Sequence, residues 1–456
     1  MQMNGTKFVR QAIFAFAGLM SLHALGQTAP LTKAQAVAIA LERNPFRKMA
    51  VADERAANAG IGMAQAAFFP RVTFSETATD GNDAVYAFGT RLRQARFTQA
   101  DFGIDRLNYP GAIGNFATKV GGEWNIFDSF QTTHEISRAR NLSLAARQAL
   151  SRADQETIFQ VLDAYYGVLV AQKKVELAEQ TVKTAQALVA ASSSRVEAGT
   201  SVEADLLSAR FNLASRQQEL IQARSASELA RTRLENALGT RLAPGQMPSE
   251  ALQEHAFPES FPIDEIEARA LTHRPDIQAV TSQLMAQQNG VKSAQAALGP
   301  RFDVFGSWEA DNPHFTSGGN NNWMAGVALR FDLFSRDKYA KVSMEKAQLS
   351  RAEAAKQVAE DNVRLDARKA YFDYDAARQM LEVSRSAVQQ AEESLRIMRD
   401  RYDSGLVTIT ELLRAEDADR AGRTNYWESV YRDAISYAAL QLATGDLNPQ
   451  SPAVIQ

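Results

Sequence analysis

Few side chains in this sequence have the type and spacing for chemistry. Asp373 and Asp375 flank Tyr374 beside Tyr371 and Phe372. Two carboxylates could share acid and base work, but only inside an enclosing pocket; outside one they are charges on a wall. His134-Glu135 falls at a helix start and reads as surface, and the remaining histidines, at 23, 255, 273 and 314, are scattered. No phosphate loop, Gly-x-Ser-x-Gly elbow or His-Glu-x-x-His zinc motif is present. A cysteine count of 0 removes disulfides, thiolate metal sites, a cysteine nucleophile and a lipid-modified N-terminal cysteine. No catalytic residue, metal ligand or cofactor is expected. A net charge of -3 gives no argument for a nucleic-acid partner.

The acids that stand apart are Asp205 and Glu411, each just after a glycine that ends a very long helical run. An acid in a first helical turn is favoured by the helix dipole alone. What else they do depends on the elements that carry them.

The chain opens with an export pattern. Lys7 and Arg10 precede the apolar run Ala12 to Leu22, and Ala24 and Gly26 supply small residues before Gln27. The run is too short to span a bilayer, which needs about 20 residues. Residues 1–26 are therefore expected to be a signal peptide. No later window reads as a transmembrane helix.

The rest is a duplication. Asn44-Pro45 and Pro70-Arg71 recur as Arg274-Pro275 and Pro300-Arg301, a spacing of 230 residues. Asp163-Ala-Tyr-Tyr166, Arg195-Val-Glu-Ala-Gly199 and Asp205-Leu-Leu207 recur as Lys369-Ala-Tyr-Phe372, Arg401-Tyr-Asp-Ser-Gly405 and Glu411-Leu-Leu413, a spacing of 206. The first unit thus carries 24 extra residues between Arg71 and Asp163. Repeat 1 is placed at 27–240 and repeat 2 at 263–447. A proline-rich linker lies at 241–262 and a tail at 448–456.

Each unit reads as two short helices, two strands and two long helices. Strands are expected at 71–80, 117–127, 301–310 and 322–334. Phe302, Val304, Gly306, Trp308 and Ala310 alternate with Asp303, Ser307 and Glu309; Val120, Gly122, Trp124 and Ile126 do the same with Lys119, Glu123 and Asn125. Tryptophans 124, 308 and 323 fit an aromatic girdle on an outer-membrane barrel. The alternation alone fits a half-buried soluble sheet equally. Four strands cannot close a barrel, and an open edge cannot face lipid, so a membrane reading requires several chains.

Long helices are expected at 129–196 and 336–402, on the order of 100 Å each, with returns at 201–239 and 407–444. Leu381, Val388, Leu395 and Tyr402 recur every seven residues, as do Val175, Val182, Val189 and Val196. The pattern predicts coiled-coil hairpins. Gly199 and Gly405 end them.

Order, spacing and both copies resemble the TolC family of outer-membrane efflux proteins over nearly the whole mature chain. The absence of cysteine makes it similar to the non-lipidated members. The resemblance implies an α+β membrane protein: a homotrimer whose twelve-stranded β-barrel in outer-membrane lipid continues into a periplasmic α-helical barrel. It implies an exit duct served by a periplasmic adaptor and an inner-membrane pump of the RND or ABC type, with the turns at Gly199, Thr200, Gly405 and Leu406 as docking tips. It places a constricted mouth at Glu411 and Arg414, the arginine departing from an acidic pattern. A latch maps onto Asp205 and Tyr402, and a second is lost at Val407. Three copies of Glu411 near an axis would favour cations. The cargo stays open. A periplasmic adaptor or a coiled-coil scaffold are the alternatives; the first needs one hairpin flanked by β-domains, and the second leaves the strands without a purpose.

Overall fold

The computed structural model describes residues 31–243, 245–248, 250–254 and 262–455. The signal-peptide expectation lies outside them. In chain order come α1 (Lys33–Arg43), α2 (Pro45–Gln65), β1 (Arg71–Gly81), α3 (Ala84–Arg93), α4 (Ile104–Asn108), β2 (Ile113–Phe127), α5 (Gln131–Glu197) and α6 (Glu203–Leu238). The second half has α7 (Ile263–His273), α8 (Pro275–Ala296), β3 (Arg301–Asn312), β4 (Asn320–Arg330), α9 (Arg336–Asp403), α10 (Ile409–Thr444) and α11 (Pro452–Ile455).

The strands form one antiparallel sheet in the order β1-β2-β3-β4, so both β1 and β4 are edges. Pro70 and Pro300 precede β1 and β3, where a proline cannot continue a helix. The opposite junction turns at Ser129 and Phe130, both left-handed, and the Ser129 hydroxyl donates to the Pro300 carbonyl at 2.8 Å. Helix α5 therefore starts at Gln131 rather than 129. Strand β4 stops at Arg330, opposite Arg301. Phe331 to Phe334, expected in the strand, lie beyond the first residue of β3 and have no ladder partner. The extra residues of the first unit hold α3 and α4, which no periodicity in the segment reveals.

Helices α5 and α9 run 67 and 68 residues. Towards the tips they pair with α6 and α10, respectively; towards the sheet α5 packs on both α2 and α8, and α9 on α8. Leu381, Leu395 and Tyr402 on α9, with Val182, Ala185 and Ser192 on α5, are buried along these seams. At Gly422 α10 faces Ala391 and Val388 of α9, and a Cβ there would make ordinary contact with Ala391 at 3.7 Å.

The main core lies mid-length, where α1 and α7 clasp the bundle. Leu31, Val37, Val161, Leu162, Tyr165, Leu234 and Leu238 meet Ile266, Val363, Tyr374, Val430 and Tyr437 there. Lys33 is buried because its ammonium reaches both Tyr166 Oη at 3.1 Å and Glu250 at 3.2 Å. Arg274 is buried against Asp276 and Asp366, at 2.6 and 3.2 Å. The C-terminal segment joins this belt through buried Ala453 and Val454.

Two predictions follow from the packing. Gly239 ends α6 at φ +70°, and a Cβ there would meet the Arg43 carbonyl oxygen at 2.7 Å; Gly199 has a similar φ with nothing within 4 Å. Gly239→Ala should cost about 2–4 kcal/mol and Gly199→Ala about 1 kcal/mol, read as thermal unfolding of the helical circular dichroism in detergent. Burial pushes the Asp433 carboxyl up to about 6, against the pull of Arg378. Its charged form is therefore disfavoured in the fold, and stability is lost as pH rises from about 4 through 6. Asp433→Asn should raise the unfolding temperature at pH 8 and leave it nearly unchanged at pH 4.

Candidate channel wall and mouth

Pleating sends alternate residues to opposite faces, and the register makes each face continuous across four strands. On one face Phe74, Val120, Trp308 and Trp323 form a row; the rows beside it are Val72, Gly122, Gly306 and Ala325, and then Trp124, Val304 and Val327, with Phe302 and Leu329 beyond. This face is apolar and uncovered: Val72, Phe74, Trp124, Trp308, Trp323 and Val327 are all exposed. A solvated exterior would not carry so broad an apolar patch.

The other face is polar. Asp303 is buried between Arg301 at 2.6 Å and Arg330 at 3.1 Å. Glu309 sits between Lys119 at 3.4 Å and Arg93 of α3 at 3.3 Å. Asn115 donates to Asp311 at 2.7 Å. Phe305 lies over Gly326, where a Cβ would strike its ring. Apolar on one side and ion-paired on the other is the arrangement of a strand set between lipid and an aqueous lumen.

Trp308 and Trp323 face each other near the loop end, and Trp124 lies towards the helix end, its indole N–H donating to the Phe68 carbonyl at 2.8 Å. The helix-end border is otherwise rich in phenylalanine. Phe68, Phe69, Phe130, Phe331 and Phe334 are all exposed there. The sequence reading, which followed tryptophan, missed this ring; the clustering of phenylalanines at both junctions was its signal.

At the far end each hairpin turns on a left-handed glycine, Gly199 at φ +72° and Gly405 at φ +71°. Thr200 N–H reaches back to the Arg195 carbonyl at 2.8 Å and Leu406 N–H to that of Arg401 at 2.9 Å, closing the last orphan carbonyls. Thr408 begins α10 with a reciprocal cap: its N–H donates to Glu411 Oε2 at 2.8 Å, and Glu411 N–H donates to its hydroxyl at 3.3 Å. The Thr408 donors, with Arg401 and Arg414 nearby, hold the Glu411 carboxyl below its usual range. Glu411 is thus an exposed, charged acid whose position its cap fixes, and Arg414 is exposed one turn on.

The expected contact between Asp205 and Tyr402 does not form within the chain. Asp205 accepts instead from the Ser201 hydroxyl at 2.7 Å, as a first-turn acid. The Tyr402 ring is buried in an apolar cluster with Leu395, Ile409 and Leu412, beneath the Arg195 guanidinium at 4.6 Å. Other contacts tie the two hairpins. Arg195 pairs with Asp403 at 3.0 Å, Arg216 with Asp417, Lys174 with Glu428 at 2.6 Å, and Tyr431 donates to Asp163 at 2.5 Å. Arg216 is largely buried and also holds Asn212 and Glu219. Sequence reasoning recorded Arg195 only as a repeated residue. It had no signal for Arg216, whose partner lies on the other repeat.

Asp373 and Asp375 are both exposed, and Asp375 accepts from Gln379 at 2.8 Å. Among the described residues no group of three His, Asp or Glu could hold a metal ion, and no helix is long and apolar enough to cross a membrane.

Comparison with known proteins agrees with this geometry. The family model described as outer membrane efflux protein matches residues 36–240 and 268–446. Protein CyaE of Bordetella pertussis is 25% identical over 422 residues, 90% of this chain and 81% of that one. The alkaline protease secretion protein AprF of Pseudomonas aeruginosa is 23% identical over 424 residues, 90% of this chain and 83% of that one. The crystal structure of the Campylobacter jejuni CmeC outer membrane channel superposes with a TM-score of 0.77 at 16% identity, covering 98% of this chain and 96% of that one. With both repeats matched and the same fold across the chain, this protein belongs to the outer membrane efflux protein family.

Proposed function

We propose that three copies close into one duct, and that this duct is the outer-membrane exit of a tripartite efflux or secretion machine. The observation that carries the reading is an asymmetry between the repeats. Inside the chain, repeat 1 meets repeat 2 where β2 pairs with β3 and where α8 packs on both α5 and α9. The equivalent junction, β4 against β1 and α9 against α2, has no second party in a single chain. Side chains record the difference. Tyr166 of α5 is 3% exposed, while its counterpart Phe372 of α9 is 58% exposed. Phe159 is packed on the core, while its counterpart Leu365 is exposed, as are Met49 and Met63 on α2. The in-chain junction is thus the template for the one between copies. Because each chain contributes an even number of strands, β4 runs antiparallel to β1 of the next copy. Two copies would give an eight-stranded barrel filled by its own side chains, whereas three give twelve strands and an open lumen.

The hairpin tips, with Gly199, Thr200, Gly405 and Leu406 at their turns, face away from the membrane and are the surface offered to a periplasmic adaptor. The adaptor links the duct to an inner-membrane pump of the RND or ABC type. Relatives named for protease secretion and for cation efflux support a conduit that accepts different cargoes. Glu411 and Arg414 of three copies form the charged mouth, with the hairpin ties holding it narrow.

Two tests follow. The purified mature chain in detergent should show three times the protomer mass by light scattering; a monomer would overturn the assembly. Glu411→Ala should lower cation preference in planar bilayers and speed amide exchange at the α10 start. Unchanged selectivity would remove Glu411 from the mouth.

A further inference from the structure

The long loop between β1 and β2 is folded and turned inward. Helix α3 lies across the loop end of the sheet on its polar face. Gln94 is 1% exposed and donates to the Gly114 carbonyl at 2.9 Å and to Asn115 Oδ1 at 3.0 Å, and Asn115 in turn donates to the fully buried Asp311. Arg93 pairs with Glu309 at 3.3 Å. Asn115, Glu309 and Asp311 all belong to the face that looks away from the apolar band. The loop is also locked within itself: Asp101, 5% exposed, pairs with Arg91 and accepts from Thr98 at 2.8 Å, and the rings of Phe88, Phe97 and Phe102 stack edge to face at 4.8 and 5.1 Å. The short connection between β3 and β4 has no helix.

The buried side of α3 is Ala87 and Thr90, continued by buried Gln94 just past its end. At 100° per residue Val85 and Leu92 lie on the opposite side, and they are 81% and 51% exposed. An apolar stripe on the inner side of a lumenal helix can be covered only by its equivalents. A barrel of twelve strands about 4.8 Å apart, tilted about 40°, is roughly 24 Å across between backbones. A helix with side chains is about 10 Å wide, so three helices on the wall meet at the axis. We infer that the α3 stripes of three copies, at Val85 and Leu92, contact one another and form an apolar plug that closes the outer end of the barrel. This rests on the assembly proposed above. The plug is separate from the charged mouth at the hairpin tips and is built from the residues by which repeat 1 exceeds repeat 2. Export then requires the outer end to open as well as the inner.

The sequence has no cysteine, so single substitutions report cleanly. Ser307→Cys places a thiol on the polar face below Glu309. In intact cells a membrane-impermeant polyethylene-glycol maleimide should label it slowly, and at least about tenfold faster when Val85→Ser and Leu92→Ser are added, because a wetted constriction no longer blocks entry. Independently, Leu92→Cys in the otherwise unchanged full chain should give covalent dimers on oxidation. Trimers in which labelling is equally fast with and without the stripe, and Leu92→Cys does not cross-link, would overturn the plug and leave the assembly standing. A chain that stays monomeric in detergent would overturn both.

Discussion

A strand edge in hydrocarbon leaves a row of peptide N–H and C=O groups without partners, each costing several kcal/mol. This chain presents two such edges, β1 and β4, on a sheet whose outer face is apolar from Val72 to Leu329. No residue substitution can satisfy those groups; only another strand can. The helical layer carries the same deficit in a different form. Where α8 fills the junction between repeats, the equivalent flank of α9 exposes Leu365 and Phe372. Backbone and side chains therefore ask for the same neighbour on the same two sides, and an identical copy, as in the assembly proposed above, would supply both.

The remaining architecture transmits that closure over a long distance. Helices α5 and α9 run unbroken from the sheet to the tips, and the belt of α1, α7 and α11 grips them midway. Among the described residues the belt holds the larger of two apolar clusters, and there Lys33 and Arg274 are held by acids or a tyrosine hydroxyl rather than excluded. Beyond it the two hairpins share a small apolar cluster around Tyr402 and Ala209, and charged pairs tie them alongside it: Arg195 with Asp403, Arg216 with Asp417, Lys174 with Glu428. Partly exposed ion pairs of this kind contribute little each and are screened by salt.

Much of this was legible in the residues because it is periodic. The heptads of α5 and α9, the period-2 strands and the 206- and 230-residue spacings each repeat a physical requirement, and repetition is what sequence reveals. What was hidden is what happens once. The α3 segment occurs in one repeat only, and its docking through Gln94 and Asn115 depends on strands brought together by folding. The end of β4 at Arg330 is set by where β3 begins, so Phe331 to Phe334 looked like strand while lacking a partner. Tyr402 was assigned to Asp205 by resemblance, but its ring is held under Arg195, and Asp205 accepts from the Ser201 hydroxyl within its own turn.

The account turns on the backbone of the two outer strands. Amide hydrogen exchange of the full-length mature chain in outer-membrane lipid, resolved by segment, measures it directly. If copies close the sheet, the amides of β1 and β4 are protected as strongly as those of β2 and β3. Edge strands that exchange rapidly in lipid while the inner pair stays protected would mean that the sheet remains open, and would contradict the closure on which the duct depends.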